Sequence, residues 1–343
     1  LDNDAALPNG EIIDTVSIIS RGGNDASTIS DAVTYQDDLE ITEFETGSNG
    51  FDSNNYSFDF SNLGDFVINR RAAQIIASAQ EKDYGDVHDL GNTAFTVVDR
   101  DGGALPNGET VDTVTLVSAD GVDASTDADA VLYADNISVT PTSTNDATIA
   151  GSANFNQENY TFSYDTGDFT INRRAITLTA NQQEKIYGDQ LALDDAVFTT
   201  LDKDGDAVLP NDEVVTNVTI NSATGVDAST TSDVANYVDE IEISGPVAGT
   251  DGSGDGFLES NYDITYVAGD LSVNKRAITV TPSRQEKVYG DQLILDDTAF
   301  TVIDLDNDST LPNGEVIETV SVISRGEHDT STTSNAVTYQ DAL

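Results

Sequence analysis

Short runs of alternating apolar and polar residues recur along the whole chain, as in Thr113-Val114-Thr115-Leu116-Val117, Tyr160-Thr161-Phe162-Ser163-Tyr164 and Ala277-Ile278-Thr279-Val280-Thr281. A period of two with β-branched and aromatic residues on one side marks half-buried strands. Asp101-Gly102-Gly103, Pro106-Asn107-Gly108 and Thr166-Gly167-Asp168 punctuate the runs as turns, and no stretch sustains a capped 3.6-residue period. The pattern predicts an all-β chain, built as β-sandwiches of about 100 residues.

The pattern is also repeated. Tyr-Gly-Asp begins at Tyr84, Tyr187 and Tyr289, and Asn-(Arg/Lys)-Arg-Ala at Asn69, Asn172 and Asn274, each with steps of 103 and 102. Leu-Pro-Asn begins at Leu7, Leu105, Leu209 and Leu311. A unit of about 102 residues predicts two complete repeats, 71–173 and 174–275, flanked by the back portion of a unit at 1–70 and the front portion of another at 276–343. Residues 1–39 and 305–343 match at 28 of 39 positions, closer than neighbouring units do, which suggests a larger period of three units. With no Met and a first residue of Leu, the sequence reads as a fragment of a long array.

The order Lys-x-Tyr-Gly-Asp, then Leu-Pro-Asn, then Asn-Tyr-x-(Phe/Ile)-x-Tyr-x-x-Gly-Asp-(Phe/Leu)-x-(Ile/Val)-Asn-(Arg/Lys)-Arg-Ala is written here as Lys185-Ile186-Tyr187-Gly188-Asp189, Leu209-Pro210-Asn211 and Asn159-Tyr160 through Ala175. It resembles the MBG-type (Tyr-Gly-x) repeats of large bacterial surface adhesins, and tandem copies carry the resemblance over the whole chain. What the resemblance implies is an Ig-like, extracellular stalk module; it brings no catalytic residues. The acidity, the carboxylate-rich loop before Leu-Pro and the dibasic junction depart from the usual repeats.

Charge narrows the functional classes. With 14 Lys plus Arg against 62 Asp plus Glu the net charge is −48, which excludes binding by phosphate neutralisation and so a nucleic-acid partner. There is no Cys and no Trp and there are two His, leaving no thiol chemistry, disulfides or Cys/His zinc sites, and an enzyme is not expected. No apolar run reaches the roughly 18 residues of a membrane span.

The scarce cations recur at fixed places. Arg70, Arg71, Arg173, Arg174, Lys275 and Arg276 lie at the junctions, where Arg173-Arg174 alone separates a last strand at 168–172 from a first strand at 175–179. So short a link predicts a stiff array, an extended rod of sandwiches. The junction cations, with Lys82, Lys185 and Lys287, are expected to clamp acidic loops of adjacent repeats or of a neighbouring chain. Lys185 with Asn172 or Asn274 also has the placing of an isopeptide pair.

The acidic loops suggest calcium. Asp202, Asp204, Asp206 and Glu213 stand at positions 1, 3, 5 and 12 of a loop, as do Asp304, Asp306, Asp308 and Glu315, which is EF-hand carboxylate spacing. Ala207 and Ser309 replace the glycine of position 6, and strands replace the helices. Two readings stand side by side, a looser Ca²⁺ loop and a solvated acidic turn. Tyr84, Tyr187 and Tyr289 read as packing corners, and the Asp-Ala-Ser-Thr segments at Asp25, Asp123 and Asp227 as turns that open strands.

The functional expectation is a structural stalk or extender of a very long extracellular adhesin or surface filament, partnered by adjacent repeats and by other copies in a bundle. The alternative is an array that itself binds glycan or protein ligands.

Overall fold

The computed structural model describes residues 7–140, 149–248 and 256–334, so 1–6 and 335–343 of the two incomplete repeats lie outside the described residues. Regular structure in the described residues is all-β, with seven single-turn 3₁₀ segments and no α-helix. The chain divides into two compact units, Leu1–Arg173 and Arg174–Leu343.

The first unit opens with β1 (Ile12–Ser20), β2 (Thr34–Ser48) and β3 (Gly64–Val67), an antiparallel sheet in that order. Nine strands follow: β4 (Arg71–Ala77), β5 (Gln80–Asp83), β6 (Phe95–Asp99), β7 (Val111–Thr113), β8 (Thr115–Ser118), β9 (Leu132–Thr140), β10 (Ala150–Gly151), β11 (Tyr160–Asp165) and β12 (Gly167–Asn172). They form one sheet of order β11-β4-β6, a second of order β5-β12-β9-β8, and the pair β10-β7. The run expected as one strand at 113–117 is two, separated at Val114, whose side chain is buried.

The second unit repeats this order. It holds β13 (Arg174–Ala180), β14 (Gln183–Ile186), β15 (Phe198–Asp202), β16 (Val215–Ser222), β17 (Asn236–Ala248), β18 (Tyr262–Val267) and β19 (Gly269–Asn274), in sheets β15-β13-β18 and β14-β19-β17-β16. The hairpin β20 (Ile278–Pro282) and β21 (Phe300–Asp304) follows. Because Arg174 opens β13, the link expected to be two residues is the single residue Arg173.

Alternation becomes burial. In β13 every second side chain from Arg174 to Ala180 is buried, with Ile176 and Leu178 at 2% and 0% exposure. Ile75, Ile137, Phe169 and Ile171 form the counterpart core of 71–173. Each such side chain contributes ~1.5–3 kcal/mol by leaving water.

The two ends of a complete repeat are paired in parallel, in one register. Arg71 faces Tyr160 in the β4–β11 ladder and Lys82 faces Ile171 in the β5–β12 ladder, the same offset of 89 residues. In the second unit Arg174 faces Tyr262 and Lys185 faces Val273, both offset by 88. The chain thus passes from one sheet to the other through Ser78-Ala79 on one side and Thr166 on the other without losing register. Gly167 makes the crossing possible, since a Cβ there would sit 2.7 Å from the Ala77 carbonyl oxygen; at Gly269 the corresponding distance to Ala180 is 2.3 Å.

A bulge beside each crossing explains the Gly-Asp pair. Asp37, Asp135 and Asp239 have φ of 52°, 54° and 56°, and the register shifts where β2, β9 and β17 meet their partners. Their backbone N–H groups donate to Asp65, Asp168 and Asp270 at 3.1, 2.9 and 3.1 Å, satisfying a donor that the ladder leaves free.

Candidate functional site at the joint between repeats

The acidic loops are organised around arginine. Asp202 closes β15; its Oδ1 accepts from the backbone N–H groups of Asp204 and Asp206, both at 2.9 Å. Its Oδ2 accepts from Arg174 Nε at 3.0 Å and Nη2 at 2.6 Å, and Asp204 accepts from the same Nη2 at 2.5 Å. Asp304 accepts from Asp306 and Asp308 N–H at 2.9 Å and from Arg276 Nε at 2.9 Å, while Arg276 also pairs with Asp306. In 71–173 Asp99 holds the N–H groups of Asp101 and Gly103 and pairs with Arg71.

These contacts hold the three carboxyls below their ordinary range. Burial pushes Asp202 up, but Arg174 and the N–H groups of Asp206 and Asp204 outweigh it. For Asp99 the largest cause is the Arg71 hydrogen bond, and for Asp304 the N–H of Asp308. In each of these loops a charge-assisted guanidinium fork is one cation that the clustered carboxylates meet.

The fourth expected ligand belongs to a different network. Glu213 is buried and accepts from the hydroxyl of Tyr262 at 2.8 Å; Glu109 accepts from Tyr160 at 2.9 Å and Glu11 from Tyr56 at 2.5 Å. Glu315 accepts at 2.5 Å from Tyr187. Burial and then the Glu109 bond push the Tyr160 phenol well above its usual range. Among the described residues no group of three or more His, Cys, Asp or Glu is placed to hold a metal ion.

The lysines serve backbone. Lys82 Nζ donates to the carbonyls of Val122, Asp123 and Ser125, and Lys185 Nζ to those of Val226, Asp227 and Ser229; both side chains are buried. Lys287 donates to Asp329 and Ser331 at 3.1 and 2.6 Å. The ammonium therefore caps the Asp-(Ala/Thr)-Ser-Thr turn within its own repeat. The two asparagines weighed as isopeptide partners hydrogen-bond to glutamates, Asn274 donating to Glu184 at 2.8 Å and Asn172 to Glu81 at 3.2 Å.

The recurrent motifs converge where one repeat meets the next inside each unit. In the second unit Arg276 Nη1 reaches back to Asp189 of the preceding repeat at 2.7 Å and to the Tyr187 carbonyl at 3.4 Å. Asn313 of Leu-Pro-Asn donates to the Thr230 carbonyl at 2.8 Å and accepts from its hydroxyl at 2.7 Å. Gly188, at φ +93°, lies so close to Pro312 that a Cβ would stand 2.5 Å from the ring. A cavity of about 260 Å³ at this joint is lined in part by Tyr187, Lys275, Arg276, Ile278, Pro312 and Glu315.

The first unit repeats the central contact. Asn107 of the next Leu-Pro-Asn donates to the Thr28 carbonyl at 2.6 Å. Asn156 and Asn159 donate to Asp31 at 2.9 and 3.1 Å, and Asn159 accepts from Ala32 N–H at 2.8 Å. The turn is built to present this amide: Asn9, Asn107, Asn211 and Asn313 all sit in the left-handed region at φ 57–58°, which Asn tolerates, while the following Glu N–H closes the turn onto the Pro carbonyl. Each neutral hydrogen bond adds ~0.5–1.5 kcal/mol net.

The junction cations divide by position. Arg71, Arg174 and Arg276 are the loop organisers, and Arg276 in addition joins two repeats; Arg70, Arg173 and Lys275 are exposed. The Arg276 side chain is 8% exposed against 26% for Arg71. The difference follows the sequence, because 1–70 contains no Tyr-Gly-Asp to cover Arg71.

Sequence reasoning placed Tyr187 in a packing corner and Thr230 in a strand-opening turn, and it passed over Asn107, Asn313 and Asp189. Their signal was the strict return of polar residues in Leu-Pro-Asn and Tyr-Gly-Asp, beyond what a turn requires. Compared with known proteins, the chain matches no family model and no curated protein sequence.

Proposed function

We propose that the chain is a structural extender: a run of tandem Ig-like β-sandwiches, akin to the MBG-type repeats of bacterial surface adhesins, that serves as an extracellular stalk. The observation that carries this reading is the joint, where the Asn of Leu-Pro-Asn holds the Thr carbonyl of the preceding repeat in both units, Asn107 on Thr28 and Asn313 on Thr230. At these two joints a recurrent motif fastens one repeat to the next, which is what a spacer needs and a row of independent binding modules does not. The links agree, because tethers that let domains tumble are longer and rich in Gly or Ser. The acidity suits a surface segment that stays soluble and resists collapse onto its neighbours.

Small-angle scattering of the 343-residue chain tests the proposal. An elongated profile that shortens when Asn107→Ala and Asn313→Ala are combined is the expected result; a compact particle, or a freely jointed profile before mutation, rejects the stalk. Thermal unfolding in CaCl₂ and MgCl₂ at matched ionic strength decides what fills the acidic loops. Equal shifts fit guanidinium-organised loops and general screening, whereas a Ca²⁺-specific rise supports a Ca²⁺ loop.

A further inference from the structure

We propose that each complete repeat is a tension-bearing element, loaded in shear through its first and last strands. The inference deepens the stalk reading, on which it relies for the direction of load; the mechanical response follows from the topology of a single repeat.

The polypeptide enters the second unit's complete repeat at Arg174 and leaves it at Asn274, and these ends belong to strands that run side by side in the same direction. Tension applied along the chain draws β13–β14 one way and β18–β19 the other, along their common axis. Six paired positions in one sheet and four in the next hold the same offset of 88, so the ladders cannot be peeled from one end. Their bonds are strained together and must fail together. The first unit has the same arrangement over Arg71–Ala77 and Gln80–Asp83 against Tyr160–Asp165 and Gly167–Asn172.

The side chains around this path reinforce it. Where load enters, Arg174 is tied to Asp202 and Asp204. Midway, the β14 residue Lys185 is fastened to the carbonyls of the turn that follows β16, so sliding β14 along β19 drags a buried ammonium out of its cage. At the crossing, Gly269 brings its backbone against Ala180, leaving little room for the two paths to slip past each other.

Single-molecule pulling of the full chain from its two ends tests this. The expected record has the incomplete repeats extending at low force, then two separate high-force events, each adding about 300–330 Å, the ~3.3–3.6 Å per residue of a 102- or 103-residue repeat less the roughly 40 Å it spans when folded. The control pulls the same protein across an antiparallel pair, through Asn221→Cys and Glu242→Cys, exposed partners on β16 and β17 in a chain without other cysteines. Bonds there break in succession, and at equal loading rate the rupture force is expected to be lower by about threefold or more.

Equal forces in the two directions, or end-to-end unfolding at the lower force, would overturn the proposal. Lys185→Met is expected to weaken the 174–275 event and leave the 71–173 event unchanged; a Lys185→Met chain whose circular dichroism is native and whose two events are unaltered removes the lysine from the load path. The stalk reading fails separately. A compact scattering profile with direction-dependent force rejects the stalk and keeps the shear element, whereas an elongated profile with equal forces does the reverse.

Discussion

Residues 12–20 and 316–324 read Ile-Ile-Asp-Thr-Val-Ser-Ile-Ile-Ser and Val-Ile-Glu-Thr-Val-Ser-Val-Ile-Ser, differing only by conservative changes, yet the first is β1 and the second has no regular structure. The difference lies in the neighbour. β1 is paired from Ile12 to Ser20 with β2, while 316–324 has no counterpart of Thr34–Ser48 among the described residues, and Val316 and Ile323 are 79% and 70% exposed. The same contrast appears elsewhere in the incomplete repeats. Residues 56–60, equivalent to β11, are not a strand and have no β4 equivalent among the described residues, and 285–288, equivalent to β14, are not a strand and have no β19 equivalent there. Alternation supplies the capacity for a strand; a ladder partner realises it, because an unpaired strand leaves its N–H and C=O groups to water and gains nothing for the entropy lost.

What survives in 276–334 is what keeps its partner within that segment. The Asp304 loop has the same N–H and arginine contacts in the incomplete repeat as the Asp202 loop has in the complete one, since the retained β20–β21 ladder brings Arg276, just before β20, to Asp304 at the end of β21. The lysine cage survives in reduced form at Lys287, and Tyr289, whose counterpart Tyr84 is 3% exposed, is left at 63%.

The largest expected effect is on amide exchange. Protons of Val215–Ser222 should exchange at least about 10³-fold more slowly than those of 316–324, as a ladder opening only with ~5 kcal/mol of unfolding requires. Comparable protection in the two segments, read by hydrogen–deuterium exchange, would mean that 316–324 forms its strand unaided and would collapse the comparison.

Next is a pair of glycine substitutions. Gly269→Ala should destabilise the second unit by about 3 kcal/mol, because its Cβ meets backbone that cannot move aside. Gly64→Ala stands at the equivalent place in the incomplete repeat, where the Cβ meets only Leu39 at 3.5 Å, an ordinary contact; a change below ~1 kcal/mol is expected. Urea unfolding of both variants measures the gap, and equal losses would deny that the crossing strand creates the constraint.

The smallest effect sharpens what the two regions share. Asp202 and Asp304 are both held below the ordinary carboxyl value of 3.8. A depressed folded pKa adds stability that is present above the unfolded value and is lost as pH falls through the folded one, so both loops should loosen only below about pH 4. Carboxyl carbon titration by NMR should place both midpoints under 3.8; a normal midpoint for Asp304 alone would show that the loop needs its complete repeat.

Some of this protein was legible in its residues. Period-two alternation gave the β class and Gly-Asp marked the opening of β12 and β19, because each depends on neighbours within a few positions. The acidic loops were legible as loops, but their arginine partner was not: Asp202 and Arg174 are 28 residues apart, and the antiparallel β13–β15 ladder brings them together. Glu213 likewise needed the fold to meet Tyr262, 49 residues on. The sequence determined which groups were available, through local geometry and periodicity. Tertiary structure decided which of them meet: a parallel ladder with an offset of 88 or 89 residues closes a long loop, and a joint between repeats is set by contacts, which no local pattern encodes.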